Sequence, residues 1–132
     1  MPPLDGLRAW LLAETPAAGF AGRLLVQLGA TVDLLEPPGG SPLRTLPPLV
    51  AGKSTTFDYL AAGMSSRRLP EIPSTTELAN LEILVHERTE LPPGWDDALA
   101  TAPIPKQGRA IIACTPYGQK GPKRDWHGDE LT

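Results

Sequence analysis

The stretch from Leu7 to Glu36, LRAWLLAETPAAGFAGRLLVQLGATVDLLE, limits the possible folds more than any other part of the chain. Leu7–Leu12 is an apolar run of strand length. Thr15-Pro16 then places a capping hydroxyl and a ring-fixed φ where a helix should start. Ala17, Phe20, Ala21, Leu24, Leu25 and Leu28 recur at three- and four-residue spacing, which predicts one apolar helical face. Gly29 stops that helix, and Thr31–Leu35 is a second short apolar run. Strand, helix and strand in so few residues predict a right-handed βαβ unit, because parallel strands need a crossover. A ligand is expected at the carboxyl ends of the strands, near Ala13–Ala17 and Glu36–Gly40.

The rest of the chain predicts a small sheet with long connections. Sixteen prolines in 132 residues are more than twice the roughly 5% average usage. They cluster between Pro37 and Pro48, Pro70 and Pro73, and Pro92 and Pro105, and each cluster breaks regular structure. Leu81–His86 and Arg109–Thr115 are the further strand candidates, parallel to the first two. Short helices are expected at Phe57–Ala62, from a Ser74–Glu77 capping box through Leu81, and at Gly94–Ala102 with Trp95 and Leu99 inward. Gly63–Thr76 and Pro116–Trp126 read as loops, and Gly128–Thr132 as a helix start cut short. The expected fold class is α/β: one Rossmann-like parallel sheet over residues 1–132, with flanking helices and Pro-rich connections.

Composition removes several function classes. The hydrophobic fraction of 41% suits one domain with a modest core. A formal charge of −3 leaves no basic footprint, so no nucleic-acid partner is expected. No apolar run approaches the roughly 18–20 residues of a membrane span, and no basic-then-apolar leader opens the chain, so the expectation is a cytoplasmic protein without a membrane partner. Cys114 stands alone in an apolar run and reads as core. His86 and His127 lack Cys or carboxylate partners at ligand spacing, so no metal is expected. Ala51-Gly52-Lys53-Ser54-Thr55 imitates the end of a phosphate loop, but Pro47 stands where that loop needs its first Gly and an N–H. ATP or GTP binding is not expected there. No GxGxxG follows the first strand either, although the small residues of Ala13–Gly19 occupy the same turn.

Two blocks carry a resemblance. PLDGLRAWLLAETPAAGFAGRLLVQLGATVDLLEPPGGSPLR, Pro3 to Arg44, resembles the opening of the family III CoA-transferases, the carnitine and formyl-CoA transferase group. That opening runs P-L-x-G-L-R, then an A-G-P-F-A-x-x-L-L-x-x-L-G-A helix, then V-I-K-V-E and P-x-G-D-x-x-R. TPYGQKGPKRDWHGDEL resembles the family's T-P-F-G-Q-x-G-P loop and helix start, with Thr115, Pro116, Gly118, Gln119, Gly121 and Pro122 in place. Between the blocks, AGKSTTFDYLAAG is similar to G-x-S-x-x-F-x-x-L-N-x-G. Leu11, Gly19 and Ser41 depart from the usual Asp, Pro and Asp, and Met64-Ser65-Ser66 replaces the family's CoA-holding K-R-S.

The resemblance covers nearly the whole chain but only the first third or so of a family member. It implies transfer of CoA between carboxylic acids through an aspartyl intermediate, with coenzyme A or acyl-CoA and a carboxylic acid as substrates. The family's catalytic aspartate lies beyond the helix start at Gly128, so no catalytic residue is assigned here. The implied CoA contacts are Thr15, Ala17, Pro37, Leu60 and Gly63, with Arg67, Arg68, Lys120, Lys123 and Arg124 as loop cations able to meet phosphates. The related racemases use a His-Asp pair at the position of Asp129-Glu130, and the His is missing in register. The partners implied are a homodimer mate or the family's C-terminal portion. The alternative is a degenerate, non-catalytic domain used for association or weak CoA binding; in both readings the 132 residues alone do not transfer CoA.

Overall fold

The computed structural model describes residues 1–128. Its centre is a sheet of β1 (Arg8–Leu12), β2 (Thr31–Glu36), β5 (Ser65–Arg68), β6 (Ile83–His86) and β7 (Ala110–Ala113), in the order β5-β2-β1-β6-β7. Every pairing in it is parallel. Helix α1 (Pro16–Gln27) crosses from β1 to β2. A hairpin, β3 (Leu49–Val50) with β4 (Lys53–Ser54), runs into α2 (Thr55–Leu60); α3 (Thr75–Ala79) precedes β6 and α4 (Trp95–Thr101) precedes β7. The expected βαβ unit and parallel α/β sheet are therefore present, and the four apolar strand candidates all lie in it.

Alternation along the strands divides the core into two layers. Ala9, Leu11, Val32, Leu34, Ile83 and Val85 face α1 and α2 together with Ala18, Leu43 and Leu60. Trp10, Leu12, Leu35 and Leu84 face α3 and α4, against Leu78, Trp95 and Leu99. Trp95 is fully buried, meets Trp10 edge-to-face at 6.0 Å between ring centres, and donates its indole N–H to the Glu71 carbonyl at 3.0 Å. On β7, Ile111 and Ile112 pair with Leu84 and Val85 on opposite faces and remain 49% and 43% exposed.

Three expectations need correction. Helix α1 buries only part of the predicted face: Ala21 and Leu25 pack against the core, but Phe20, Leu24 and Leu28 are 48%, 43% and 43% exposed, while Ala18, Gly19 and Gly22 are buried. The cause is proximity. A Cβ on Gly22 would stand 2.5 Å from Leu11 Cδ2, so the helix lies too close to the sheet for bulky residues on its inner side. The second correction is β5, expected as loop. Ser65–Arg68 has no apolar alternation because it is an edge strand bonded only to β2, with its side chains held by polar partners: Ser66 Oγ donates to Glu36, and Arg67 pairs with Asp33 at 3.4 Å and Glu77 at 2.6 Å. Arg67 and Arg68 are thus strand residues rather than loop cations.

The third is the Thr15 hydroxyl. It makes no cap to the first turn of α1 and donates instead to Glu87. By contrast, the Ser74–Glu77 capping box is complete. Ala51 and Gly52, both at positive φ (51° and 77°), form the two-residue turn of the β3–β4 hairpin, and the Ser54 hydroxyl accepts from the Phe57 amide at 3.0 Å. The Lys53 segment is therefore a hairpin tip and a helix cap. The expected helix start at Asp129-Glu130 lies outside the described residues.

Candidate functional site

The strand order dictates where a site can form. From β1 the chain moves outward through β2 to β5, then returns to place β6 and β7 on the other side of β1. The order therefore reverses between β1 and β6, and ligands of open α/β sheets bind outside the carboxyl ends of the strands at such a reversal. A cleft of about 840 Å³ lies there. Glu14, Thr15 and Ala17, after β1, form one wall, Glu87–Glu90 after β6 the floor, and Cys114–Tyr117 with Arg124–Gly128, after β7, the other wall.

Carboxylates outnumber cations in this cleft. Arg88 pairs with Glu14 at 3.1 Å, and Arg124 with Glu90 at 3.7 Å and Asp125 at 3.4 Å. Glu87 has no cation in these pairs; its carboxylate accepts the Thr15 amide at 2.7 Å, the Glu14 amide and the Thr15 hydroxyl. Tyr117 and Trp126 meet edge-to-face at 5.9 Å and give the far wall an apolar surface. The Cys114 thiol is pushed up by burial and by the Glu87 carboxylate, which keeps it protonated and unreactive. His86, just below the floor, is buried and held neutral by that burial. Among the described residues no group of three or more His, Cys, Asp or Glu side chains is placed to hold a metal.

Of the expected contact residues, Thr15 and Ala17 line the cleft; Pro37, Leu60 and Gly63 do not. Leu60 is buried beneath α1, where a Cβ on Gly19 would touch its Cδ1 at 3.0 Å. Gly63 backs onto Val26, and the Pro37 carbonyl closes a turn by accepting from the Gly40 amide at 2.9 Å. Arg124 reaches the cleft, but already pairs with two carboxylates. Lys123 stacks on Trp126 at 4.9 Å. The sequence reading did not single out Glu87, Arg88, Tyr117 or Trp126. One signal was available, since Glu87 follows the last residue of a buried apolar strand, the position from which such sheets present ligand contacts.

The two sequence blocks that carry the resemblance, at opposite ends of the chain, therefore face each other across one cleft. No family model matches the chain. It is similar to a probable fatty acyl-CoA transferase of Mycobacterium tuberculosis, Rv3272, at 28% identity over 98% of this chain and 35% of that protein. It is also similar to the succinyl-CoA–D-citramalate CoA-transferase of Chloroflexus aurantiacus, at 33% identity over 96% of this chain and 34% of that enzyme. The chain is thus similar to the N-terminal portion of CoA-transferases. The crystal structure of Rv3272 superposes with a TM-score of 0.76 at 26% identity, over 99% of this chain and 38% of that one. A CAIB/BAIF family protein of Brucella suis shares the fold, with a TM-score of 0.70 at 24% identity over 98% of this chain and 37% of that chain. The chain spans about a third of the length of these relatives. Among its described residues no helix is long and apolar enough to cross a membrane.

Proposed function

We propose that this chain supplies the CoA-thioester pocket of a family III CoA-transferase, an activity that moves CoA between carboxylic acids through covalent intermediates on an aspartate. The observation that carries this reading is the convergence of Glu14–Ala17 with Thr115–Tyr117 on one cleft at the strand-order reversal. The cleft suits the uncharged arm of an acyl-CoA better than its phosphates. Its apolar wall of Tyr117 and Trp126 offers area to the arm, and its cations are already paired with carboxylates. In this reading the nucleophile is the aspartate that the resemblance places beyond Gly128, and the 132 residues alone bind CoA without transferring it.

A second reading, weak CoA binding or association without catalysis, is favoured by one placement. At the end of the segment that replaces K-R-S and just past it, Ser66 and Arg67 are committed to Glu36, Asp33 and Glu77 within and beside the sheet. Calorimetry with CoA and with acyl-CoA, beside an exchange assay with acyl-CoA and a free acid, tests both readings. Binding weakened by Tyr117→Ala, without exchange, is the expected result. Exchange by this chain alone, abolished by replacing one of its own aspartates, would overturn the proposal, as would the absence of any CoA binding.

A further inference from the structure

The N-terminus of α1 is where a phosphate would be expected: a 12-residue helix, entered from β1 through small residues, opening on the cleft. In this structure that position belongs to the chain itself. The half-buried Glu87 carboxylate takes the amides of Glu14 and Thr15 on one oxygen and the Thr15 hydroxyl on the other. These donors, free amides before a first turn and a hydroxyl beside them, are the ones a phosphate would need. Thr15 spends its hydroxyl proton on Glu87 and makes no side-chain cap, so a carboxylate that follows β6 occupies the donors leading into α1. Glu14, the next carboxylate along the same wall, is paired with Arg88 at 3.1 Å, which leaves Arg88 turned toward Glu14.

We propose that Glu87 is a specificity-determining residue, a built-in anion that seals the α1 N-terminus against phosphate and leaves that wall of the cleft to an uncharged part of the ligand. This rests on the reading of the cleft as an acyl-CoA pocket, and it adds a direction to it. The thioester-bearing arm lies against Thr15 and Ala17, and the phosphates lie away from α1. The chemistry is exclusion by occupancy and by charge. A phosphate would have to strip three donors from Glu87 and then share the site with a displaced carboxylate, and like charges at contact distance repel.

The test is a titration with inorganic phosphate, followed by the amide signals of Glu14 and Thr15 in the two-dimensional NMR spectrum of the whole chain. The wild-type protein is expected to show no saturable shift of either signal. Glu87→Ala, which removes the plug, is expected to show one, with a rise in the unfolding temperature as phosphate is added. Glu87→Gln keeps the shape and the acceptor oxygen while dropping the charge; its phosphate affinity should fall between the other two, and it serves if the alanine variant does not fold. A saturable shift in the wild type, or no gain in whichever variant folds, overturns the proposal. Failure of CoA to bind the wild type would strike the pocket reading and leave the seal standing, because phosphate binding to the variants is read without CoA.

Discussion

Glu36 and Arg44 form a two-bond ion pair at the carboxyl end of β2: Arg44 Nε donates to Glu36 Oε2 and Nη2 to Oε1, both at 2.7 Å. The same carboxylate accepts from Ser66 Oγ at 2.8 Å and from the Ser41 amide at 3.0 Å, so every oxygen of this buried group is satisfied. One side chain thereby joins β2, edge strand β5 and the turn after β2. It sits on the β5 side of the sheet, away from the cleft, which makes its role one of holding the fold.

That pair predicts an acid response. The Arg44 hydrogen bonds outweigh burial and hold the Glu36 carboxyl at about 2, against an ordinary 4.5. A depressed carboxyl pKa contributes stability that is present above the unfolded value and lost as pH falls through the folded one, here between 4.5 and 2. The full contribution is on the order of 3 kcal/mol at neutral pH. Glu36→Gln should therefore be less stable than wild type near pH 7 and lose less between pH 5 and 2. Urea unfolding at a series of pH values checks this; parallel stability curves for the two proteins would remove Glu36 as the cause.

Gly22 predicts a second response, in which two effects oppose each other. Alanine in a helix interior is better than glycine by about 1 kcal/mol. At Gly22 the new methyl would meet Leu11 Cδ2 at 2.5 Å and Met64 Cε at 2.8 Å, and Leu11 is locked in the central strand. Overpacking of this kind costs about 1–3 kcal/mol, which is larger, so Gly22→Ala should lower the urea midpoint. Leu24→Ala, on the exposed side of the same helix, should change stability by no more than about 0.5 kcal/mol. A Gly22→Ala protein as stable as wild type would mean that α1 rides higher on the sheet than described.

These two residues also show what could be read from the sequence. The buried strands were legible because each is a short apolar run, and a run of Val, Ile and Leu between breakers has few other uses. The phase of α1 was not legible, because its inner side is built from Ala18, Gly19 and Gly22, which carry almost no hydrophobic signal. Strand β5 was hidden for a related reason: its partners are Glu36, Asp33 and Glu77, and a strand held by ion pairs looks polar. At the site, Thr15 and Ala17 followed from the strand-end rule. Glu87 and Arg88 did not, since a charged residue after a strand resembles solvated surface until the fold brings it to a helix N-terminus. Leu60 and Gly63 rest on the resemblance alone; Leu60 is buried beneath α1, while Gly63 is an exposed residue backing onto Val26.

Arg109 carries the last prediction. It stands just before β7, and its guanidinium reaches four backbone carbonyls: Leu81 at 3.0 Å, Leu99 at 3.4 Å, Pro103 at 2.9 Å, and Leu78. Leu78 and Leu99 lie near the carboxyl ends of α3 and α4, where a cation is favoured, and the Leu78 carbonyl also accepts the Leu81 amide at 3.2 Å. One side chain thus ties two short helices and the start of the last strand together, on the face whose core is Trp10, Leu84 and Trp95. Lysine keeps the charge but has a single ammonium, and it cannot present donors to carbonyls spread along a planar fork. Arg109→Lys should therefore cost about 1–3 kcal/mol, because the part-buried Leu81 and Leu99 carbonyls lose this donor while the charge is unchanged. Arg109→Ala should cost at least as much. Urea unfolding gives the stability, and the near-ultraviolet circular dichroism of the Trp10–Trp95 pair reports whether that face loosens first. If the lysine variant lies within about 0.5 kcal/mol of wild type, the charge rather than the fork is what the helix ends require.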